Sequence, residues 1–265
     1  MIVQNHDGIY LYQFPLLSAQ KQIIHAITSR IAEKEGNIFS MSLKDPYGVS
    51  NREKVCKILS LPLENMVVSR QVHGKHVAVV SIKDRGRGAL TYDTALPASD
   101  AMITNAIETP IMSLSGDCPI VGFFDPVKKA IGLAHAGWRG TVLEIASHTV
   151  HVMQKEFGCR PQDILAGIAP SIGPCCYQVR EEVLDKVKTL SWGKKTIQIR
   201  DNAYYLDLWQ ANTEQLLCAG LKAENIESSQ ICTACHPDRF FSYRMEGVNS
   251  GRCAFILSLV MPGEK

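Results

Sequence analysis

Two apolar runs, residues 111–124 and 130–134, flank an Asp125-Pro126 step, and together they constrain the fold more than any other feature of the chain. Asp-Pro steps favour turns, so we expect the two runs to pair as antiparallel strands. From Thr141 the apolar spacing becomes helical and continues to Phe157, where Gly158 follows as a typical C-terminal cap. The middle of the chain is therefore predicted to form a buried strand pair followed by a helix of about four turns.

Further strand and helix patterns surround this centre. Strand-like apolar runs occupy residues 23–29, 76–82 and 253–260. Helical spacing covers residues 181–189 and 207–219. The run at 76–82 is apolar on both faces of a strand, which predicts burial. Because strands and helices do not alternate regularly and no repeat or long linker divides the chain, we predict an α+β fold. Residues 1–265 should form a single compact domain with mixed, largely antiparallel sheets flanked by helices.

The composition excludes several classes of function. Lys and Arg total 28 against 26 Asp and Glu, and the resulting net charge of +2 argues against a nucleic-acid binder that works through a large basic field. No run approaches the roughly 18 to 20 apolar residues of a membrane span, and residues 1–13 lack the uniform apolar character of a signal peptide. We expect a cytoplasmic protein that binds neither nucleic acid nor a membrane. Its nine cysteines should be free thiols or metal ligands.

The densest group of potentially reactive residues lies at 132–141, between the second strand and the predicted helix. Gly137 and Gly140 permit tight backbone turns. Arg139, beside the N–H groups of a helix start, would favour an anion such as phosphate. The same sequence also fits an ordinary turn between a strand and a helix.

Cys118 and His135 should meet at one end of the strand pair. A neighbouring thiol and imidazole form either a nucleophilic pair or part of a zinc site. His73, ahead of the run at 76–82, could supply a third ligand. Two imidazoles and one thiolate without an obvious fourth ligand would match a catalytic zinc, which keeps one position open. Spacing alone leaves both interpretations open.

Other cysteines form a second pattern. Cys232, Cys235 and His236 fit the C-x-x-C-H motif of c-type haem attachment, but that modification requires export, which the N-terminal residues do not support. Alternatively, Cys232 and Cys235 join Cys175 and Cys176 in a structural zinc site held by four thiolates, although the vicinal pair departs from the usual C-x-x-C spacing.

With these residues assembled, the sequence resembles the YfiH family, also called the laccase-domain or polyphenol-oxidase family, whose members are regarded as purine nucleoside phosphorylases. The resemblance spans nearly the whole chain, from residues 25–30 to residues 251–252. Five blocks in the same order carry it, at residues 71–74, 99–104, 117–120, 135–140 and 173–177. The chain departs from the family pattern at residues 40–45 and at Ser115-Gly116.

The resemblance implies that His73, Cys118 and His135 ligate a catalytic zinc, with Arg139 and Arg244 near the substrate. Its implied reactions are phosphorolysis of adenosine, inosine and S-methyl-5'-thioadenosine, and deamination of adenosine to inosine. The implied partners are therefore purine nucleosides and phosphate.

Three further residues complete the predicted site. Arg52 follows the altered segment at 40–45 and is expected to contact phosphate. Gln71 is expected to hydrogen-bond the substrate. Asp117 is expected to orient a ligating histidine or to accept a proton.

Two alternatives remain for the chemistry. The family's older name suggests copper-dependent phenol oxidation, but a multicopper site needs many grouped imidazoles, and this chain has eight histidines and no His-x-His pair. Zinc is thus the expected metal and copper the alternative. The rival enzyme is a thiol hydrolase or deamidase with Cys118 as nucleophile and His135 as base. The protein is expected to be a monomer or a homodimer.

Overall fold

The computed structural model describes residues 1–32 and 37–261, so residues 33–36 and 262–265 of the predicted domain lie outside the described residues. The strands, in chain order, are β1 (Ile2–His6), β2 (Ile9–Gln13), β3 (Ile23–Ala32), β4 (Asn37–Ile38), β5 (Val67–Val68), β6 (Val77–Val79), β7 (Ala101–Thr104), β8 (Ile111–Ser115), β9 (Ile120–Asp125), β10 (Ala130–His135), β11 (Leu165–Ile168), β12 (Gln178–Val179), β13 (Ile197–Arg200), β14 (Ala203–Leu206), β15 (Ile226–Ser228) and β16 (Cys253–Leu259). The helices are α1 (Pro15–Ser18), α2 (Gly48–Leu59), α3 (Trp138–Val142), α4 (Ile145–Phe157), α5 (Glu181–Lys188), α6 (Leu208–Cys218) and α7 (Tyr243–Glu246).

The strands form two large sheets and one small sheet. The first has the order β1-β2-β3-β16-β8-β5, with β4 paired to β3, and the second has the order β15-β11-β9-β10-β7-β6. The small sheet has the order β12-β14-β13. Among the named strands, the parallel pairs are β5 with β8, β6 with β7, and β11 with β15. The predicted α+β fold with mixed, largely antiparallel sheets is therefore confirmed.

The two large sheets pack face to face, and helices cover their outer faces. Phe14, Phe124 and Phe255 belong to the apolar cluster between the sheets. A second cluster joins the second sheet to α4 and α6, and a third joins the first sheet to α2. The sheets approach so closely that a Cβ atom on Gly122 would lie 2.5 Å from the Phe255 ring. This sandwich brings the ends of β8, β9 and β10 together.

The predicted strand pair is confirmed as the β9–β10 hairpin, in which Ile120 lies opposite His135. However, the run at 111–124 is not one strand, because β8 belongs to the first sheet and β9 to the second. The chain crosses between them at residues 116–119. Gly116 fits there because a Cβ would lie 3.2 Å from the Gly251 carbonyl oxygen, and Asp117 has a φ of 99°. Cys118 therefore lies on the crossover between the sheets.

The helix predicted from Thr141 is broken into α3 and α4. Glu144 separates them in a left-handed conformation with a φ of 58°. The terminal cap at Gly158 is confirmed. The predicted helices near 181–189 and 207–219 are confirmed as α5 and α6, and Asp207 caps the start of α6 by accepting from the Gln210 N–H. Near the C-terminus, β16 confirms the predicted core strand.

The prediction of a buried strand over residues 76–82 is wrong. Only β6 forms, at an edge of the second sheet, and Val79 is 48% exposed. Ser81 and Asp84 cap each other's backbone and begin a turn of 3₁₀ helix, which ends the extended segment. Sequence patterns also did not predict α2, the β1–β2 hairpin or the small sheet.

None of the described helices combines the length and the apolar character that a transmembrane segment requires.

Phe255→Ala is expected to lower the free energy of unfolding by about 3 to 5 kcal/mol, because it leaves a cavity between the two large sheets. Val127→Ala, at a position 61% exposed in the β9–β10 turn, is the matched control and should change stability little. Urea unfolding curves of the two variants test this. Similar losses in both would contradict the proposed packing.

Candidate metal centre

Three potential metal ligands converge beside one end of the β9–β10 hairpin. The donor atoms of His73, Cys118 and His135 all lie within 4.8 Å of one another. The two imidazole rings meet edge to face, with their centroids 4.9 Å apart at 74°. His135 is buried, whereas His73 is exposed, so the cluster opens to solvent on the His73 side. The predicted meeting of Cys118 and His135 is therefore confirmed.

Asp100, at the start of β7, orients both histidines. Its carboxylate accepts hydrogen bonds from the main-chain N–H groups of Val72, His73 and Gly74 at 3.1, 2.8 and 2.7 Å. The same carboxylate lies 3.1 Å from Nδ1 of His135. Burial raises the pKa of Asp100, but the hydrogen bonds from His135 and Gly74 outweigh it and keep the pKa low. An ionised Asp100 favours a proton on Nδ1 of His135, which leaves Nε2 as a metal donor.

Backbone geometry completes the cluster. His73 has a φ of 60°, in the left-handed region, where the three hydrogen bonds to Asp100 hold its segment. At Gly137 a Cβ atom would lie 2.7 Å from the Cys118 sulfur and 3.4 Å from Cδ2 of His73. Glycine is therefore required at position 137 for the turn after β10 to pass this close to the cluster.

The electrostatics of the cluster favour a thiolate at Cys118 beside the imidazole of His135. Burial raises the pKa of the Cys118 thiol, but the imidazoles of His135 and His73 outweigh this effect and lower it to about 6. Burial lowers the pKa of His135, but Cys118 and Asp100 raise it to about 9. Cysteine binds metals as the thiolate, which is the form that this environment stabilises.

Asp117 has a different place from the one predicted. Its carboxylate accepts hydrogen bonds from the Thr233 hydroxyl at 2.6 Å, the Ser242 hydroxyl at 3.1 Å and the Arg244 main-chain N–H at 2.6 Å. None of its described hydrogen bonds reaches an imidazole. The contact that orients a histidine belongs to Asp100, and Asp117 instead ties the crossover beside Cys118 to the distant segment between β15 and β16.

Two predicted arginines lie near Tyr177, which is itself close to Cys118. The Arg244 guanidinium lies 5.2 Å from the centroid of the Tyr177 ring, and Arg139 stacks on Trp138. Burial and the charge on Cys118 raise the pKa of the Tyr177 hydroxyl, while Arg244 and Arg139 oppose that rise. Tyr177 therefore presents a neutral phenol next to two exposed guanidinium groups.

The other two predicted substrate contacts are engaged with the backbone. Arg52 is 2% exposed and donates to the carbonyl groups of Met41, Gly88 and Ala89. The Gln71 amide exchanges both of its hydrogen bonds with the main chain of Leu114. These contacts give both side chains a structural role. Arg52 is buried away from any open surface, whereas Gln71 is half-buried.

The expected anion site at the start of a long helix is not formed as predicted. The chain after His135 enters the five-residue α3, and the longer α4 begins only at Ile145. Any phosphate at this rim would depend on side chains such as Arg139 and Arg244 rather than on a long helix.

The sequence analysis did not assign Asp100 or Tyr177 to the site, although both lie in blocks that carry the family resemblance, at residues 99–104 and 173–177. The signal for Asp100 was an acidic residue directly before the apolar residues 101–103. A carboxylate at the start of a buried strand needs several donors, and here they come from the His73 segment and from His135.

Comparisons with known proteins identify a matching family and several relatives of this chain. The model of the family described as multi-copper polyphenol oxidoreductase laccase matches residues 39–260. The purine nucleoside phosphorylase YlmD of Geobacillus stearothermophilus is 39% identical over 212 residues, which cover 78% of this chain and 77% of the relative. The adenosine deaminase RL5, from an unknown prokaryotic organism, is 34% identical over 197 residues, which cover 73% and 75%. The crystal structure of the hypothetical protein YfiH of Bacillus licheniformis superimposes with a TM-score of 0.89 at 32% identity, covering 97% of this chain and 98% of that one.

Asp100→Asn should weaken zinc binding about 10- to 100-fold, because an amide cannot stabilise the His135 tautomer in the same way. Asp125→Asn is the matched control, since it alters a similarly buried carboxylate at the opposite end of the β9–β10 hairpin. It should lower the melting temperature while leaving zinc affinity at the wild-type level. Competition titrations with a chromogenic chelator measure both affinities. Equal zinc affinities in the two variants would contradict the role assigned to Asp100.

Proposed function

This chain belongs to the multi-copper polyphenol oxidoreductase laccase family, and we propose that it is a zinc-dependent purine nucleoside phosphorylase that also deaminates adenosine. The observation that carries the proposal is the cluster of His73, Cys118 and His135 with an open side. Relatives named as a purine nucleoside phosphorylase and an adenosine deaminase support the choice of substrate.

The donor set fits zinc. Two imidazoles and one thiolate are typical zinc ligands, and a three-ligand set is characteristic of catalytic sites. A multicopper oxidase needs several grouped imidazoles, and the described cluster holds only two. Zinc is therefore the proposed metal, and copper is the alternative. When bound by His73, Cys118 and His135, zinc would supply a Lewis acid on the open side of the cluster.

The rim residues would perform the positioning that phosphorolysis demands. In that reaction a phosphate oxygen forms a bond to C1' of the ribose while the bond from C1' to the purine nitrogen breaks, which yields the free base and ribose 1-phosphate. Arg139 and Arg244 carry exposed guanidinium groups that can donate to phosphate. Each Nη atom of Arg244 keeps one N–H for this purpose beyond the bond that it donates to the carbonyl of Cys176 or Gln178. Tyr177, a neutral phenol near both arginines, can donate a hydrogen bond to the nucleoside. We propose adenosine, inosine and S-methyl-5'-thioadenosine as the nucleosides.

Deamination would use the same open side of the cluster without phosphate. Water replaces the 6-amino group of adenosine, which leaves as ammonia, and inosine is formed. Asp100 would hold the proton on Nδ1 of His135, which keeps Nε2 free to bind the zinc that would supply the Lewis acid for this attack.

One observation favours a second candidate. Cys118, His135 and Asp100 stand in the order of a nucleophile, a base and an orienting carboxylate, which is the arrangement of a thiol hydrolase or deamidase. His73 separates the two candidates, because a metal site needs its imidazole, whereas a thiol nucleophile does not.

We expect purified, zinc-loaded protein to convert adenosine to adenine only when phosphate is present, and to inosine without phosphate. The phosphate dependence follows from phosphate being the attacking group. Chromatography of the nucleosides and bases identifies the products, and heat-inactivated protein is the control. Absence of both products from a zinc-loaded sample would reject the proposal and favour the Cys118 hydrolase.

His73→Ala and Cys118→Ala should each lose the zinc of the His73, Cys118 and His135 cluster and at least 100-fold of the adenosine turnover, because each removes one of three ligands. His151→Ala, on the solvent side of α4, is the control and should keep this zinc and the turnover. Zinc content and product formation are measured on the same samples. Full turnover by His73→Ala protein that has lost this zinc would contradict a metal mechanism.

A further inference from the structure

A second group of thiols lies outside the His73, Cys118 and His135 cluster. The sulfur atoms of Cys175, Cys176, Cys232 and Cys235 all lie within 4.8 Å of one another. We propose that these four cysteines bind a structural zinc ion, separate from the metal centre described above. The site joins the loop that follows β11 to the loop that follows β15.

The spacing of the sulfur atoms matches a tetrahedral thiolate site. With a zinc–sulfur distance of about 2.3 Å, a tetrahedron places its sulfur atoms about 3.8 Å apart. The Cys175 sulfur lies 3.5 Å from that of Cys235, and the Cys176 sulfur lies 3.4 Å from it. A disulfide would bring two sulfurs to about 2.05 Å and leave the other two unpaired. A single ion can engage all four.

Main-chain donors already point at one of these sulfurs. The Gly173 N–H donates to the Cys232 sulfur at 3.2 Å, and the Cys235 N–H donates to the same atom. Hydrogen bonds of this kind stabilise a thiolate ligand and fix its direction. Cys232 is 5% exposed, whereas Cys175 and Cys235 are exposed, so an ion can enter from the solvent side.

Hydrogen bonds around the four cysteines show which loops the ion would stabilise. Thr233 donates from its main chain to the Ser171 carbonyl at 3.1 Å, which aligns the two cysteine-bearing loops. Arg244 donates to the carbonyl of Cys176 at 3.1 Å and to that of Gln178 at 3.2 Å. Tyr177 follows the vicinal cysteines directly. The four-cysteine site would therefore stabilise the loop that presents Tyr177 and Arg244 at the rim of the metal centre.

Four protein ligands close the coordination sphere, so this second ion would have no position for substrate. Its role would be to hold the loops together. Loss of the ion should lower stability and weaken nucleoside binding, without removing the metal from His73, Cys118 and His135.

The experiment quantifies zinc in the full-length protein purified in reducing, chelator-free buffer. The proposal predicts two zinc ions per chain in the wild type and one zinc ion per chain in each of the single variants Cys175→Ser and Cys235→Ser. Cys218→Ser, at an exposed cysteine of α6, is the matched control and should keep two. Cys118→Ser should also keep one ion, bound at the four-cysteine site.

Cobalt substitution tests the ligand set even if a variant fails to fold. In wild-type protein, the charge-transfer absorption from thiolate to cobalt should be much stronger than the absorption of a site with a single thiolate ligand. This strong absorption should persist in Cys118→Ser. One zinc ion in the wild type with an unchanged content in Cys235→Ser would overturn the proposal. Rapid reaction of all four thiols with a thiol reagent without zinc release, or a disulfide within the group in reduced preparations, would overturn it equally.

Discussion

The buried Asp100 carboxylate is the contact on which the rest of the centre depends. A carboxylate that is 2% exposed must be compensated by donors, and Asp100 obtains them from three consecutive N–H groups around His73 and from the ring of His135. One charge thus fixes the left-handed backbone at His73 and the orientation of His135 together. Without it, the two imidazoles would belong to unconnected segments, one on an exposed turn and one at the end of a core strand.

The sandwich supplies the third ligand through its topology. Cys118 lies where the chain leaves the first sheet and enters the second, so its position depends on both sheets being packed. Asp117, one residue earlier, bonds to Thr233, Ser242 and Arg244, and these contacts tie the crossover to the segment between β15 and β16 that carries Arg244. The cluster and its rim are therefore parts of one packed unit, in which the rigid core lies on one side and solvent on the other.

Sequence patterns predicted those parts of the fold that local interactions determine. The β9–β10 hairpin, α5, α6 and the final strand follow from turn residues, caps and short apolar runs, and the meeting of Cys118 with His135 follows from the hairpin. The break at Glu144 has no such signal, because a non-glycine residue in a left-handed conformation is stabilised by its tertiary surroundings. Long-range contacts also escaped prediction. Asp100 lies 35 residues from His135, and the burial of Arg52 depends on carbonyl groups 36 and 37 residues away.

Anomalous diffraction recorded on both sides of the zinc absorption edge tests the central claim most directly. In crystals of the protein grown without added metal, we expect a strong anomalous peak for a zinc ion bound by His73, Cys118 and His135. Asp100 should lie outside the coordination sphere and accept a hydrogen bond from Nδ1 of His135. A structure that shows no metal between these three side chains, or that shows Asp100 as a direct ligand in place of an imidazole, would contradict the account.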